Sequence, residues 1–321
     1  MRGVNLDVFD FDYDLTWMAF FLGPHEEVYG RYGSRDAVSP DNQMSLEGLR
    51  FAMTAALAAH GRTTKEKSRQ PIQAARTVDT YPAARRRPAN ACIHCHQVYD
   101  FRREALQAQG KWGLNELWVY PQPENVGVTL DIEMGNRVKA VAASSPAGRA
   151  GLRAGDLLKS VNGVNVASIA DVQYGLHRAP AEGEIPVTWT RSDRILAARL
   201  PLAVGWRKTD ISWRWSLKGL EPSPWVQGED LTVAEKRKLG LSDQRLAFYQ
   251  NAFVSPPARQ AGIRQKDIIL GIDGKELEMT ARQFTAYVKL NYKVDARVTY
   301  NILRDGKRLD VALTLISRPP F

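Results

Sequence analysis

An internal repeat constrains the fold of this chain more than any other feature. "SSPAGRAGLRAGDLLKSVNGVNV" (144–166) realigns with "SPPARQAGIRQKDIILGIDGKEL" (255–277) at a constant offset. Pro146, Ala150, Gly151, Asp156 and Gly163 fall on Pro257, Ala261, Gly262, Asp267 and Gly274, and Leu152, Leu157 and Val161 fall on Ile263, Ile268 and Ile272. Two copies of one domain follow from this register. In each, Pro-Ala opens a short helix, a glycine closes it where a positive φ costs least, and Asn162-Gly163 or Asp273-Gly274 makes the next tight turn. A helical stretch comes next (168–178; 279–290). Strands then complete each copy, the second with a hairpin turn at Asp305-Gly306. With 321 residues there is room for two or three domains, and 44% hydrophobic and 25% charged residues are ordinary for a globular protein. The longest apolar stretch, around Leu15 to Leu22, is far too short to span a bilayer.

Upstream of the repeat the pattern is weaker. Residues 6–33 suggest two strands joined at "GPHEE", with Phe9, Phe11, Tyr13 and Leu15 on one face and the alternating aspartates on the other. Asp12-x-Asp14-x-Thr16 superficially matches the nucleophile motif of haloacid-dehalogenase-type phosphatases, but no large α/β domain follows it. Ser45 is placed to cap a helix carrying Leu46, Leu49, Met53 and Leu57, with Gly61 as its stop. From Arg62 to Asn90 apolar periodicity disappears and basic residues, Gln, Ala and Pro accumulate, which suggests a flexible basic linker. The net charge of +9 is spread along the chain apart from Arg85 to Arg87. It implies no specific nucleic-acid partner, and the aromatic and basic stretch from Trp206 to Trp215 is expected to pack between domains.

"ACIHCHQVYD" (91–100) holds both cysteines of the chain, Cys92 and Cys95, with His96 directly after them. C-x-x-C-H is the attachment pattern of haem c, in which two thiols meet the porphyrin vinyl groups and the adjacent imidazole reaches iron. On a helical turn, positions i, i+3 and i+4 share a face. A catalytic dithiol, a structural disulfide, part of a zinc site that includes His94, and no special role all stay open beside haem. His60, His25, Met134 and Met53 are the candidates for a distal iron ligand, and nothing in the spacing selects one.

"NVGVTLD…VKAVAASSPAGRAGLRAGDLLKSVNG" resembles a bacterial PDZ domain of the kind attached to HtrA-type proteases, and "KLGLSDQRLAFYQNAFVSPPARQAGIRQKDIILGIDG" resembles a more divergent one. The resemblance implies an α+β fold of two tandem PDZ-like β-sandwich or barrel domains, each adding a peptide to a sheet edge and holding its terminal carboxylate on a loop of N–H groups. It assigns loop and strand to Val126, Gly127, Val128, Thr129 and Leu130 in the first copy and to Leu239, Gly240 and Leu241 in the second. No Ser, His and Asp constellation precedes the copies, so proteolysis does not carry over. Hairpin and helix ("FDYDLTWMAFFLGPHEEVYGRYGSRD", "SLEGLRFAMTAALAAHG") are similar to the C-terminal half of a thioredoxin-like domain. Fragment, CIHCH motif and PDZ copies in this order resemble a bacterial thioredoxin-like/PDZ family with selenoprotein members.

The expected order is therefore a partial thioredoxin-like domain (1–61), the linker (62–90), a CxxCH helical segment (91–121), a first PDZ-like domain (122–203), an inter-domain linker (204–230) and a second PDZ-like domain (231–316). Haem attachment implies a periplasmic or other extracytoplasmic location, yet "MRGVNLDVFDFDYDL" carries no secretory signal. The expectation is an internal start, with the export signal and a Cys or selenocysteine half encoded upstream. The functional expectation is electron transfer or redox sensing with peptide, protein and redox partners. A PDZ scaffold with a silent CxxCH and a thiol-disulfide oxidoreductase using Cys92 and Cys95 are the alternatives.

Overall fold

A computed structural model describes residues 1–62 and 75–318, and positions 63–74 of the expected linker lie outside the described residues. The chain divides into two compact units, Met1–Thr209 and Asp210–Phe321. No helix among the described residues is long and apolar enough to cross a membrane.

The first unit opens with a hairpin, β1 (Ala19–Leu22) against β2 (Val28–Tyr32). The strand expected over residues 6–18 is absent. Asp12 and Asp14 are 4% and 7% exposed, so they are not a solvent face, and Tyr13 between them is buried as well. This stretch is a set of turns: Asp12 Oδ1 accepts the Asp14 N–H and the Tyr99 hydroxyl. Helix α1 (Leu46–Arg62) starts where Ser45 predicts, its hydroxyl accepting the Gly48 N–H at 3.0 Å. Its apolar face differs from expectation, because Gly48, Ala52 and Ala56 are buried while Leu46, Met53 and Leu57 are exposed. Only small residues permit the close approach there: a Cβ on Gly48 would stand 2.3 Å from the Ile132 carbonyl oxygen.

Residues 75–90 are not a structureless linker. Val78 and Ala84 are fully buried, in a short 3₁₀ turn (Val78–Thr80) and in α2 (Pro82–Arg85). They share one core with Leu6, Tyr13, Ile93, Val98 and Phe101, the last two on α3 (Gln97–Ala108). Main-chain bonds join the pieces, Leu6 N–H to Arg76 O at 2.7 Å among them. The physical reason is that small alanines and a lone Val can fill a core without any periodicity visible in the sequence.

The first repeat copy builds β3 (Val128–Leu130), β4 (Val138–Val141), α4 (Pro146–Arg149), β5 (Leu157–Val161), β6 (Val164–Asn165), α5 (Ile169–His177), β7 (Gly183–Arg191) and β8 (Arg194–Leu202). Strands β3 and β4 form one antiparallel pair, and the second sheet has the order β6-β5-β7-β8. Leu158, Val161, Leu176, Ile185, Val187, Trp189 and Leu200 lie between them as core. Trp206, in the aromatic and basic stretch, belongs to this core, its indole N–H donating to the Pro180 carbonyl at 3.0 Å.

The second unit comprises β9 (Gly228–Asp230), α6 (Val233–Lys238), β10 (Phe248–Gln250), α7 (Pro256–Gln260), β11 (Ile268–Ile272), α8 (Ala281–Asn291), β12 (Arg297–Arg304) and β13 (Lys307–Thr314). Its sheet runs β13-β12-β11-β10-β9 over a core of Phe248, Ile269, Ile272, Phe284, Val288 and Tyr300. Strand β9 falls in the stretch expected to be an inter-domain linker, but it is the edge strand of this sheet. The Asp305-Gly306 turn is where the sequence predicts it, with φ of 50° and 77°. Ser192 and Asp193 make the equivalent positive-φ turn between β7 and β8.

Candidate peptide grooves and the CxxCH segment

In the first domain the strand edge suited to a peptide is β3, entered from the 3₁₀ turn Pro123–Val126, which packs on α5. Val128 and Leu130 face inward and Thr129 is exposed, the alternation required of a strand with one face in the core. The outer edge of β3 pairs with no other strand among the described residues. Gly127 enters β3 at φ 85°, and a Cβ there would lie 2.1 Å from Ser145 Cβ. Only glycine fits this corner. The Asn125 and Gly127 N–H groups already donate to the Gln122 and Glu124 carbonyls at 3.0 and 2.9 Å. The predicted residues Val126, Gly127, Val128, Thr129 and Leu130 are contiguous, but Gly127 caps the 3₁₀ turn and its N–H is already engaged.

Opposite them, α5 begins with a capping box: the Ser168 hydroxyl accepts the Asp171 N–H, and Asp171 Oδ2 accepts the Ser168 N–H, both at 3.1 Å. Asp171 is 1% exposed. Burial pushes its carboxyl up to about 6, against the opposing pull of the Ala167 N–H, the Arg31 charge, the Arg31 N–H and the Ser168 hydroxyl.

In the second copy the predicted residues are not a groove. Leu239 caps the C-terminus of α6, Gly240 follows at φ 69°, the Gly240 N–H donates to Arg237 O, and the Leu241 N–H donates to Lys236 O. This pattern is a Schellman motif, so "KLGL" is a helix stop and not a carboxylate-binding loop. The counterpart of β3 is β9, which pairs antiparallel with β10 as β3 does with β4, ahead of a short proline-initiated helix in each case. The misassignment has a simple cause. The second copy carries α6 between its edge strand and β10, so the constant offset of the repeat ends before the groove.

The loop entering β9 is anchored by side chains. Tyr300 Oη donates to the Pro224 carbonyl and Ser255 Oγ to the Trp225 carbonyl, both at 2.6 Å, and Gln250 Oε1 accepts the Gln227 N–H at 3.2 Å. Burial raises the Tyr300 hydroxyl far above its ordinary range, which keeps it a donor. Gly228 lies so close to β10 that a Cβ would stand 1.6 Å from the Tyr249 carbonyl oxygen. Across the groove, Asp230 Oδ1 accepts the Ala281 N–H at the start of α8 at 2.8 Å.

The CxxCH residues sit just before α3. Cys92 to His94 lie outside any helix, Cys95 and His96 form the turn leading in, and His96 is the N-cap. The expected single helical face is thus only partly formed. Ile93 separates the cysteines by pointing inward, 6% exposed, and the amino group of Met1 donates to its carbonyl at 2.8 Å. Both thiols are free, Cys92 exposed and Cys95 half-buried against the Ile93 core. The His94 and His96 rings stack at 5.9 Å between centroids. Two free thiols beside an imidazole are the donor set that covalent haem attachment requires, so the residues fit the group in chemistry. Among the described residues no group of three or more His, Cys, Asp or Glu side chains is placed to hold a metal ion.

The four candidate distal ligands stand on other elements. His60 Nδ1 lies 3.1 Å from the Tyr29 hydroxyl, His25 is in the hairpin turn, Met53 is on the exposed face of α1, and Met134 follows β3. None of them belongs to the cluster against which Cys95 packs.

Residues 137–191 and 247–315 each match a family model described as PDZ domain. A probable periplasmic serine endoprotease, DegP-like, of Ectopseudomonas mendocina (strain ymp) is 27% identical over 216 residues, covering 64% of this chain and 44% of that protein. The periplasmic pH-dependent serine endoprotease DegQ of Escherichia coli (strain K12) is 24% identical over 144 residues, 45% of this chain and 29% of its own length. The chain thus spans less than half the length of these curated relatives. A solved HtrA-type protease, AlgW with decapeptide, aligns at 24% identity over 30% of this chain and 29% of that one, with a TM-score of 0.24 that adds no weight of its own. The matched regions begin after the edge strands β3 and β9, and this chain carries two PDZ domains, each of the HtrA-like kind.

Proposed function

We propose that this chain is an extracytoplasmic docking protein that binds extended peptide termini at the edges of β3 and β9 and carries haem c on Cys92 and Cys95, with His96 as the iron ligand. The observation that carries the peptide reading is a sheet edge beside a capped helix in each unit, α5 opposite β3 and α8 opposite β9. Such an edge offers main-chain hydrogen bonds to an added strand, and pockets for alternate side chains supply specificity. The periplasmic names of the relatives support the location. Isothermal titration of the full chain with decapeptides bearing a free or an amidated C-terminus tests the reading. Carboxylate-dependent binding is expected, and equal affinity for both forms counts against it.

The haem reading rests on the only two cysteines of the chain being free thiols immediately before His96. When bound, the haem supplies one-electron transfer at its iron. Cys92 and Cys95 would each form one thioether, and the start of α3 orients His96. Expression with haem-maturation machinery, followed by a Soret spectrum of the denatured protein, is the test; a folded protein without covalent haem removes this reading. The thiol-disulfide reading for the same cysteines then becomes the one to examine, by alkylation before and after oxidation. The hairpin and α1, as a partial thioredoxin-like unit of a selenoprotein-containing family, belong to the same proposal. Translation of the DNA upstream in frame tests that part.

A further inference from the structure

We propose that residues 31–48 form a built-in lid over the groove of the first PDZ domain, so that this groove accepts a peptide only when the lid is displaced. The inference rests on the reading of β3 and α5 as a peptide site.

One segment contacts α5, the loop before the 3₁₀ turn and the stretch just beyond β3. On α5, the Arg31 N–H donates to Asp171 Oδ1 at 3.0 Å, the Ser168 hydroxyl donates to the Arg31 carbonyl, and the Arg31 guanidinium lies 3.6 Å from the Tyr174 ring centroid. The Ser34 hydroxyl lies 2.8 Å from Gln173 Oε1. At the loop, Gln122 Nε2 donates to the Arg35 carbonyl at 2.7 Å, and Gln43 Nε2 donates to Gln122 Oε1 at 3.2 Å. Beyond the far end of β3, Ser45 Oγ donates to the Ile132 carbonyl at 3.4 Å, and Gly48 packs on the same oxygen.

Helical spacing separates two sides of α5: Arg31 meets Asp171 and Tyr174, which point away from the side on which Ser34 covers Gln173. Ile169, Gln173 and Leu176 stand at i, i+4 and i+7 and share one side of α5. Gln173 on that side is 4% exposed and Ser34 above it 2%. A polar helix position sealed this completely is sealed by something, and here it is the chain's own hairpin exit. In the second domain the fifth residue of α8 is Thr285, which stays half-buried and bonds back to the Ala281 carbonyl of its own helix at 3.3 Å. The two grooves thus differ at equivalent positions. The lid adds no strand to β3, whose outer edge remains without a strand partner among the described residues, so the groove is covered and not filled. A ligand binding only the open state then sees its affinity reduced by the fraction of molecules that are open.

Hydrogen exchange on the full chain, with and without a pool of decapeptides bearing free C-terminal carboxylates, tests the lid. In the wild type, peptide-dependent protection is expected at β9 and α8 but not at β3 and α5. In R31E/S34A, protection should appear at β3 and α5 with at least a tenfold gain in affinity there, while β7 and β8 exchange as slowly as before. If R31E/S34A loses that slow exchange, the milder S34A/Q43A is read in its place and should show a smaller gain. Protection of β3 and α5 in the wild type equal to that in the variant overturns the lid. So does protection confined to β9 and α8 in both proteins. Absence of protection at either domain in every protein overturns the peptide reading, and the lid with it.

Discussion

Asp156 and Arg191 meet in a two-bond fork, Nε to Oδ1 at 2.7 Å and Nη2 to Oδ2 at 2.8 Å, and the same guanidinium donates to the Gly151 carbonyl at 2.7 Å. Asp267 and Arg304 repeat the arrangement in the second domain, with Gly262 as the third partner and all three distances 2.7 Å. Each carboxylate is 1% exposed. The fork ties the glycine that ends the short helix to the last residue of the long strand, and so closes the domain. Removing the cation strands a buried carboxylate. Arg304→Ala is expected to destabilise the second unit by about 3 kcal/mol, the lower end of the range for breaking buried pairs because the arginine keeps some solvent contact. Arg191→Ala, with the more exposed arginine, should cost the first unit less. Urea unfolding followed by hydrogen exchange reads each unit separately, and equal, negligible losses in both would contradict the role given to the fork.

Asp171 makes a pH prediction with a definite sign. Its carboxyl is raised by burial from 3.8 to about 6, so the folded chain holds this proton more tightly than the unfolded chain does. Its contribution to stability is therefore fully present below about pH 4 and is lost as pH rises through about 6, a span of about 3 kcal/mol at 1.36 kcal/mol per unit. Asp171→Asn cannot titrate. Wild type and variant should differ in stability by an amount that changes between pH 4 and pH 7, with the wild type losing ground as pH rises. Two parallel stability curves over that range would show that the carboxylate is held by its donors at an ordinary value.

Legibility from sequence followed the physics of each element. The repeat was readable because Asn162-Gly163, Asp273-Gly274 and the proline-initiated helices are local signals, each set by a few adjacent residues. Arg191 and Arg304 escaped notice although each stands just before a hairpin turn, since nothing local ties them to Asp156 and Asp267. Val78, Ala83 and Ala84 were invisible as core because they lack a stripe and fill space only next to Leu6 and Phe101. Val126 to Leu130 are contiguous, so the strand β3 and its glycine corner are legible as a local signal. In the second copy "KLGL" resembles a binding loop in sequence, whereas the positive φ of Gly240 ends α6. "WVQGED", directly before α6, was the available signal.

Gly228 gives that reassignment a test. A methyl group there would stand 1.6 Å from the Tyr249 carbonyl oxygen, within the β9–β10 pair, so Gly228→Ala must push the edge strand away from its neighbour. A cost of about 1–3 kcal/mol in the second unit is expected, together with weaker peptide binding there. Gly240→Ala is the control: no heavy atom lies within 4 Å of its would-be Cβ, and its φ of 69° costs about 1–2 kcal/mol as helix-end strain. The Gly240 variant should leave peptide affinity in the second domain unchanged. Loss of affinity in Gly240→Ala with none in Gly228→Ala would return the groove to Leu239–Leu241.

Cys92 and Cys95 differ in surroundings, and the difference predicts their reactivity. Cys92 is exposed outside any helix or strand, whereas Cys95 packs half-buried against the core that holds Ile93, Val98 and Phe101. Iodoacetamide should therefore label Cys92 well before Cys95 in the native protein, and peptide mapping by mass spectrometry distinguishes the two. In denaturant their rates should converge, because the disparity comes from access. Labelling of Cys95 should also loosen the segment, since a carboxamidomethyl group adds volume where Ile93 and the start of α3 already meet, and overpacking typically costs about 1–3 kcal/mol. The same reagent applied after haem maturation supplies the cross-check: thioether formation consumes both thiols, so neither cysteine should label even in denaturant. Full labelling of both after maturation would leave the dithiol as the chemistry of this segment.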